Sequence, residues 1–130
     1  MTARTIRVVA AVIEHGGRYL ITQRRASAVL PLLWEFPGGR VEEGETDAEA
    51  LKREVRFRLG VDVHAGRLMS FVTHPYERYV VELYLYEGKL VEGEPSAVNV
   101  SDFRWVESSE FEKYTFTPAD EASMSTLLGL

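Results

Sequence analysis

Six carboxylates crowd into thirteen residues: Glu42, Glu43, Glu45, Asp47, Glu49 and Glu54. Four basic residues, Lys52, Arg53, Arg56 and Arg58, overlap or follow them. Hard anionic oxygens are what Mg²⁺ or Mn²⁺ takes as ligands, and guanidinium groups pair well with phosphate. The chemistry suggested is a metal-assisted phosphate site, with a solvated charged face as the plain alternative. The rest of the chain narrows the classes. There is no cysteine in 130 residues, which excludes disulfides, thiolate metal sites and a cysteine nucleophile. The net charge of −5 argues against a surface for nucleic-acid polymers. The apolar runs fall far short of the ~20 residues of a membrane span. No signal peptide opens the sequence, so a cytoplasmic location is expected.

The elements that must position these residues can be read from patterning. No linker or repeat divides the chain, and one domain over 1–130 is expected. Ile6–Ile13 is an almost continuous β-branched run and reads as a buried strand. Residues 14–18 (EHGGR) read as a hairpin turn, and Tyr19–Gln23 as the return strand. Arg24–Leu33 reads as a loop, Leu33–Phe36 as a short apolar segment, and Pro37-Gly38-Gly39 as a break in regular structure. Asp47–Leu59 reads as a helix with Ala48, Leu51, Val55 and Leu59 on one stripe. Thr46 or Asp47 can cap its start and Gly60 its end. Val61–Val72, Arg78–Tyr86 and Phe103–Val106 read as strands, Glu110–Tyr114 as a helical turn, and Pro118–Leu128 as a last helix. Strands with two interspersed helices predict a mixed α/β sandwich.

The stretch GRVEEGETDAEALKREVRFRLGV, residues 39–61, resembles the Nudix box. Gly39, Glu45, Arg53, Glu54, Val55, Gly60 and Val61 match that pattern in register. The segment LWEFPGG at 33–39 and FTPAD at 116–120 resemble the same regions of MutT-like and CTP pyrophosphohydrolase-like members. The likeness implies a Nudix α/β/α sandwich with a mixed sheet. It implies a protein of small nucleotide phosphates, monomeric or homodimeric, that hydrolyses a nucleoside triphosphate, or a nucleoside diphosphate linked to X, to a monophosphate with Mg²⁺ or Mn²⁺. Glu54, with Arg53 beside it and the Gly39 carbonyl, corresponds to part of the family's metal and catalytic set.

Two box positions depart from the pattern. Where the family has paired glutamates, this chain has Phe57 and Arg58. Phenylalanine offers no ligand and a guanidinium repels a metal ion. Counting back six from Trp105, a further family carboxylate falls on Asn99. Hydrolysis is therefore expected to be weak or lost, leaving a nucleotide-binding protein or else a non-catalytic interaction scaffold, unless Glu43 or Glu45 substitutes. Glu54 and Arg58 stand at i and i+4, the favourable orientation for an ion pair. Two readings of Arg58 stay open: part of a salt-bridged, neutralised face, or a direct phosphate contact replacing the metal.

The resemblance also marks nucleotide-binding candidates. Arg24 corresponds to a phosphate-contacting arginine; a solvated loop pair with Arg25 is the alternative. Arg78 could face the nucleotide, against a plain strand-end role. Asp120 corresponds to a base-recognising Asn or Asp; a first-turn acid favoured by the helix dipole is the alternative. Phe36 could flank a base or serve the core. His15, His64 and His74 have no metal-site spacing, and Tyr76, Tyr79, Tyr84 and Tyr86 read as strand packing or an interface.

Overall fold

The apolar run at residues 6–13 lies within β1 (Arg4–His15), which turns through Gly16-Gly17 into β2 (Arg18–Gln23). The computed structural model of the protein describes residues 4–128. After the 24–33 loop come β3 (Trp34–Glu35), β4 (Gly38–Arg40), α1 (Asp47–Leu59), β5 (Val63–Pro75), β6 (Tyr79–Leu90) and β7 (Asp102–Val106). A 3₁₀ helix at Ser108–Lys113 and α2 (Pro118–Leu128) complete the order. The described strands form a mixed sheet in the order β3-β2-β1-β6-β5, with β4 on β1 and β7 on β2. β1 runs parallel to β6, from Arg4 opposite Tyr79 to Ile13 opposite Gly88, and the other pairings are antiparallel.

β1 is apolar on both faces because both are covered. Val9, Ala11 and Ile13 pack with Leu51, Val55 and Leu59 of α1. Ala10 and Val12 point the other way, into a core with Leu83, Leu85, Phe36, Phe111 and Met124 of α2. This is the α/β/α sandwich expected from the sequence. α1 begins at Thr46, whose hydroxyl accepts from Glu49 N–H at 3.1 Å, while Glu49 Oε1 accepts from Thr46 N–H at 2.9 Å. That reciprocal box satisfies two otherwise free donors. The helix ends at Gly60 with φ of 69°, the left-handed conformation glycine adopts without strain.

One expectation is corrected. Pro37 does lie in a bend that separates β3 from β4, but the glycines do not continue the break: Gly38–Arg40 is a strand, with Val9 opposite Gly39 and Ala10 opposite Gly38. Gly38 makes this close approach possible. A Cβ on Gly38 would stand 2.0 Å from Val9 O. β5 and β6 also run further than their patterns indicate, to Pro75 and Leu90. No helix among the described residues is long and apolar enough to cross a membrane.

Ser70 Oγ on β5 and Ser123 Oγ on α2 are buried without a hydrogen-bond partner among the described residues. A partnerless buried hydroxyl costs free energy. Ser123→Ala is therefore expected to raise the unfolding free energy by about 1 kcal/mol in urea titration. An equal loss would mean that the hydroxyl is satisfied after all.

Candidate functional site

The acidic segment disperses once folded. Asp47 is taken by Arg7, whose Nε and terminal nitrogen both donate at 2.8 Å, and by the Tyr86 hydroxyl. Glu49 is spent on the helix cap, and Glu42 and Glu43 lie exposed around the turn before it. Glu45 accepts from Arg53 at 2.7 and 2.9 Å and from Glu42 N–H at 2.8 Å. The Arg53 hydrogen bonds, with the Glu42 N–H second, hold its carboxyl down at about 2. Among the described residues, no three His, Asp or Glu side chains come together as a metal-ligand group.

What does assemble is a row of alternating charges. Glu54 projects from α1 against β4, where Gly39 leaves it room; a Cβ there would lie 1.9 Å from Glu54 Oε2. Arg53 donates to Glu54 Oε1 and also to the Arg40 carbonyl at 2.8 Å. Arg58 Nε donates to Glu54 Oε2 at 3.0 Å, one helical turn away. A terminal nitrogen of Arg58 donates to Glu35 Oε2 on β3 at 3.1 Å. Glu35 accepts in turn from Arg24, at 3.1 Å to Oε1. The row thus reads Arg24, Glu35, Arg58, Glu54, Arg53, Glu45, three cations and three anions. The Glu35 and Glu54 side chains are each only 13% exposed, so these pairs are less screened than surface ones.

One end of this row opens on a cavity of about 340 Å³. Its walls include Val8 of β1, Val81 and Leu83 of β6, Phe36, Tyr76 and Tyr79. Tyr76 and Tyr79 stack at 5.1 Å. The Phe36 ring is also core, with Phe111 and Phe116 each 6.1 Å away. Asp120 is buried in the wall, accepting from Phe36 N–H at 3.0 Å and from the Thr117 hydroxyl at 2.6 Å. Burial, reinforced by the nearby Glu35 charge, pushes its carboxyl up to about 7. Arg24, Glu35 and Arg58 line the same cavity, so it carries an apolar wall and a charged edge.

Of the residues singled out in sequence, Gly39, Glu54, Arg53, Arg58, Arg24, Phe36 and Asp120 meet here, with Glu45 at the far end of the row. Arg78 lies exposed in the β5–β6 turn and is no part of the cavity wall. Asn99 clamps the end of α1: its Nδ2 donates to Phe57 O at 2.7 Å and its N–H to Arg58 O at 3.0 Å. Sequence reasoning assigned no role to Glu35, and read Tyr76 and Tyr79 as strand packing or an interface. Glu35 sits in an apolar tetrapeptide without a charge pattern around it. Only the pairing of β3 with β2, Thr22 opposite Glu35, brings it to Arg24 and Arg58.

The residues present do not fit a divalent ion in the usual manner. Such an ion needs bare carboxylate oxygens. Every oxygen of Glu54 and Glu35 already receives a guanidinium N–H. Phe57, half exposed beside them, has none to offer.

Comparison with known proteins agrees with this architecture. The family model described as NUDIX domain matches residues 8–126. The CTP pyrophosphohydrolase of Escherichia coli K12 is 31% identical over 98% of this chain and 94% of its own. The 8-oxo-dGTP diphosphatase of Haemophilus influenzae is 30% identical over 98% and 95%. Among solved structures, the E. coli ORF135 protein superposes with a TM-score of 0.82 at 30% identity, covering 98% of this chain and 91% of that one. The MutT protein of Methanosarcina mazei gives 0.88 at 20% identity, covering 99% and 96%, which speaks for the fold alone.

Proposed function

The chain belongs to the NUDIX domain family, and from that premise we propose that it binds nucleoside di- and triphosphates with little or no hydrolysis. The observation that carries this reading is Arg58, standing between Glu54 and Glu35 where the family has a carboxylate. In this reading the base enters the apolar cavity against Phe36, Tyr76 and Tyr79. Asp120 lies within the wall, able to donate when protonated and to accept when ionised. The phosphates lie toward Arg24 and Arg58, whose planar forks suit bidentate contact with phosphate oxygens. Charge neutralisation on the phosphates is then supplied by side chains.

The family's hydrolysis uses a divalent ion to stabilise charge developing on the phosphates. This chain's own residues leave that task to guanidinium groups. No carboxylate in the row is free to accept a proton from an attacking water, since Glu54 and Glu35 are each bound by two arginines. Binding without turnover follows. Substitution by Glu45 is disfavoured by its bidentate hold on Arg53, and Glu43 is exposed in the turn before α1. The protein would work as one cytoplasmic domain, monomeric or homodimeric, on small nucleotides.

Calorimetric titration with CTP and 8-oxo-dGTP tests the reading, each with Mg²⁺ and again with EDTA. Affinity is expected to be the same in both conditions to within about twofold. Binding that vanishes on adding EDTA, or no saturable binding of any nucleoside di- or triphosphate, rejects it. Phosphate release in the presence of pyrophosphatase should stay at background with either Mg²⁺ or Mn²⁺.

A further inference from the structure

Arg58 is gripped by carboxylates from two different elements. Its Nε meets Glu54 Oε2 of α1, and a terminal nitrogen meets Glu35 Oε2 of β3. The opposite oxygens are also occupied, Glu54 Oε1 by Arg53 and Glu35 Oε1 by Arg24. Both acids are largely buried, and Glu54 is pressed against Gly39 so closely that a Cβ would collide with it. Two poorly solvated carboxylates brought this near each other repel unless a cation stands between them.

We propose that Arg58 is this chain's built-in counter-cation, and that a guanidinium and a divalent ion exclude one another between Glu54 and Glu35. The inference rests on the pairings themselves and requires no nucleotide. An entering ion would have to strip both Oε2 atoms of charge-assisted hydrogen bonds and sit beside a fixed positive charge. Neither loss is recovered while Arg58 stays in place. Remove its charge and Glu54 Oε2 is bared while Glu35 Oε2 keeps only a long 3.3 Å contact from Arg24, so the two carboxylates become available as hard ligands, held from outside by Arg53 and Arg24. The site for a divalent cation is thus latent, and one side chain keeps it closed. Glu35 is the element of this scheme that the box pattern does not contain. It acts on Arg58 as a positioning residue, from a strand 23 residues away in sequence.

Mn²⁺ binding to the nucleotide-free protein, followed by electron paramagnetic resonance, tests this. Wild type and Arg58→Lys are expected to show no saturable binding. Arg58→Met, which keeps most of the stem without the charge, should bind with a dissociation constant of about 10⁻⁴–10⁻³ M. Adding Glu35→Gln to Arg58→Met should weaken that binding at least about tenfold. Arg58→Gln provides a second neutral variant should the methionine perturb folding, and a Mn²⁺-dependent rise in melting temperature is expected only for the neutral variants. Three results would overturn the proposal. Wild type could bind Mn²⁺ as tightly as Arg58→Met. Folded neutral variants could fail to bind it. Glu35→Gln could leave the gained affinity unchanged. A failure of nucleotide binding would leave all three readouts intact, so the two proposals stand or fall separately.

Discussion

Replacing Phe57→Glu and Arg58→Glu together is expected to create nucleotide hydrolysis dependent on Mg²⁺ or Mn²⁺, at least about 10²-fold above wild type. Both positions share the α1 face of Glu54, three and four residues on. The exchange removes the guanidinium that occupies Glu54 and Glu35 and adds two carboxylates where the family places them. Without metal, the variant carries four neighbouring acids with only Arg53 and Arg24 to compensate, so its melting temperature should fall in EDTA. Added Mg²⁺ should restore it, because a ligand that binds only the folded state stabilises by mass action. Phosphate release coupled to pyrophosphatase reads the activity. A folded variant that binds Mn²⁺ and remains inert would locate the deficit beyond the box. Asn99 would be the first suspect, since its amide is committed to the Phe57 carbonyl.

The second large effect concerns pH. Asp120 titrates near 7 in the fold against an ordinary value of 3.8, chiefly because it is buried, with Glu35 adding to the shift. Between these two values the folded chain holds a proton that the unfolded chain has lost. Unfolding free energy must therefore fall as pH rises through that window. The penalty should reach about 2–4 kcal/mol on the alkaline side, since each tenfold change in proton affinity is about 1.4 kcal/mol. Asp120→Asn keeps the site neutral at every pH and should cancel this slope. It should match wild type near the acidic end and exceed it above neutrality. Urea unfolding of both proteins across pH measures the difference directly. Parallel curves would mean that Asp120 is ionised in the fold throughout. Glu45 has the opposite sign: held at about 2, its contribution persists at neutral pH and is lost only on strong acidification.

The parts of this structure legible in sequence are those specified by local chemistry. α1 announces itself by Leu51, Val55 and Leu59 on one stripe, by Thr46 at its start and by Gly60 at its end, although Ala50 rather than Ala48 completes the buried face. The Glu54–Arg58 pair follows from a spacing of four on that helix. β1 was readable because a strand covered on both faces needs no polar alternation. What could not be read depends on partners distant in sequence. Pro37-Gly38-Gly39 has the composition of a turn, and its glycines open a strand only because β1 lies beside them and Gly38 admits the Val9 carbonyl. Glu35 has no local signature, and its role exists only when β3 is set against β2 and faces α1. The acidic segment misled in the other direction. Its density suggests convergence, yet Asp47, Glu49 and Glu45 turn to three unrelated partners.

The parallel pairing of β1 with β6 also bears on how the chain can be made. Arg4 lies opposite Tyr79, its partner 75 residues later, and Ile13 opposite Gly88. A ribosome delivers Val8–Ile13 long before β6 exists to cover one of its edges. Until then the emerging segment can draw only on neighbours already synthesised, first the Glu14–Tyr19 turn and then β4. Parallel strands far apart in sequence close slowly. The most apolar strand of the molecule is thus also the one that waits longest for a partner, and an apolar strand with an unpaired edge is prone to aggregate.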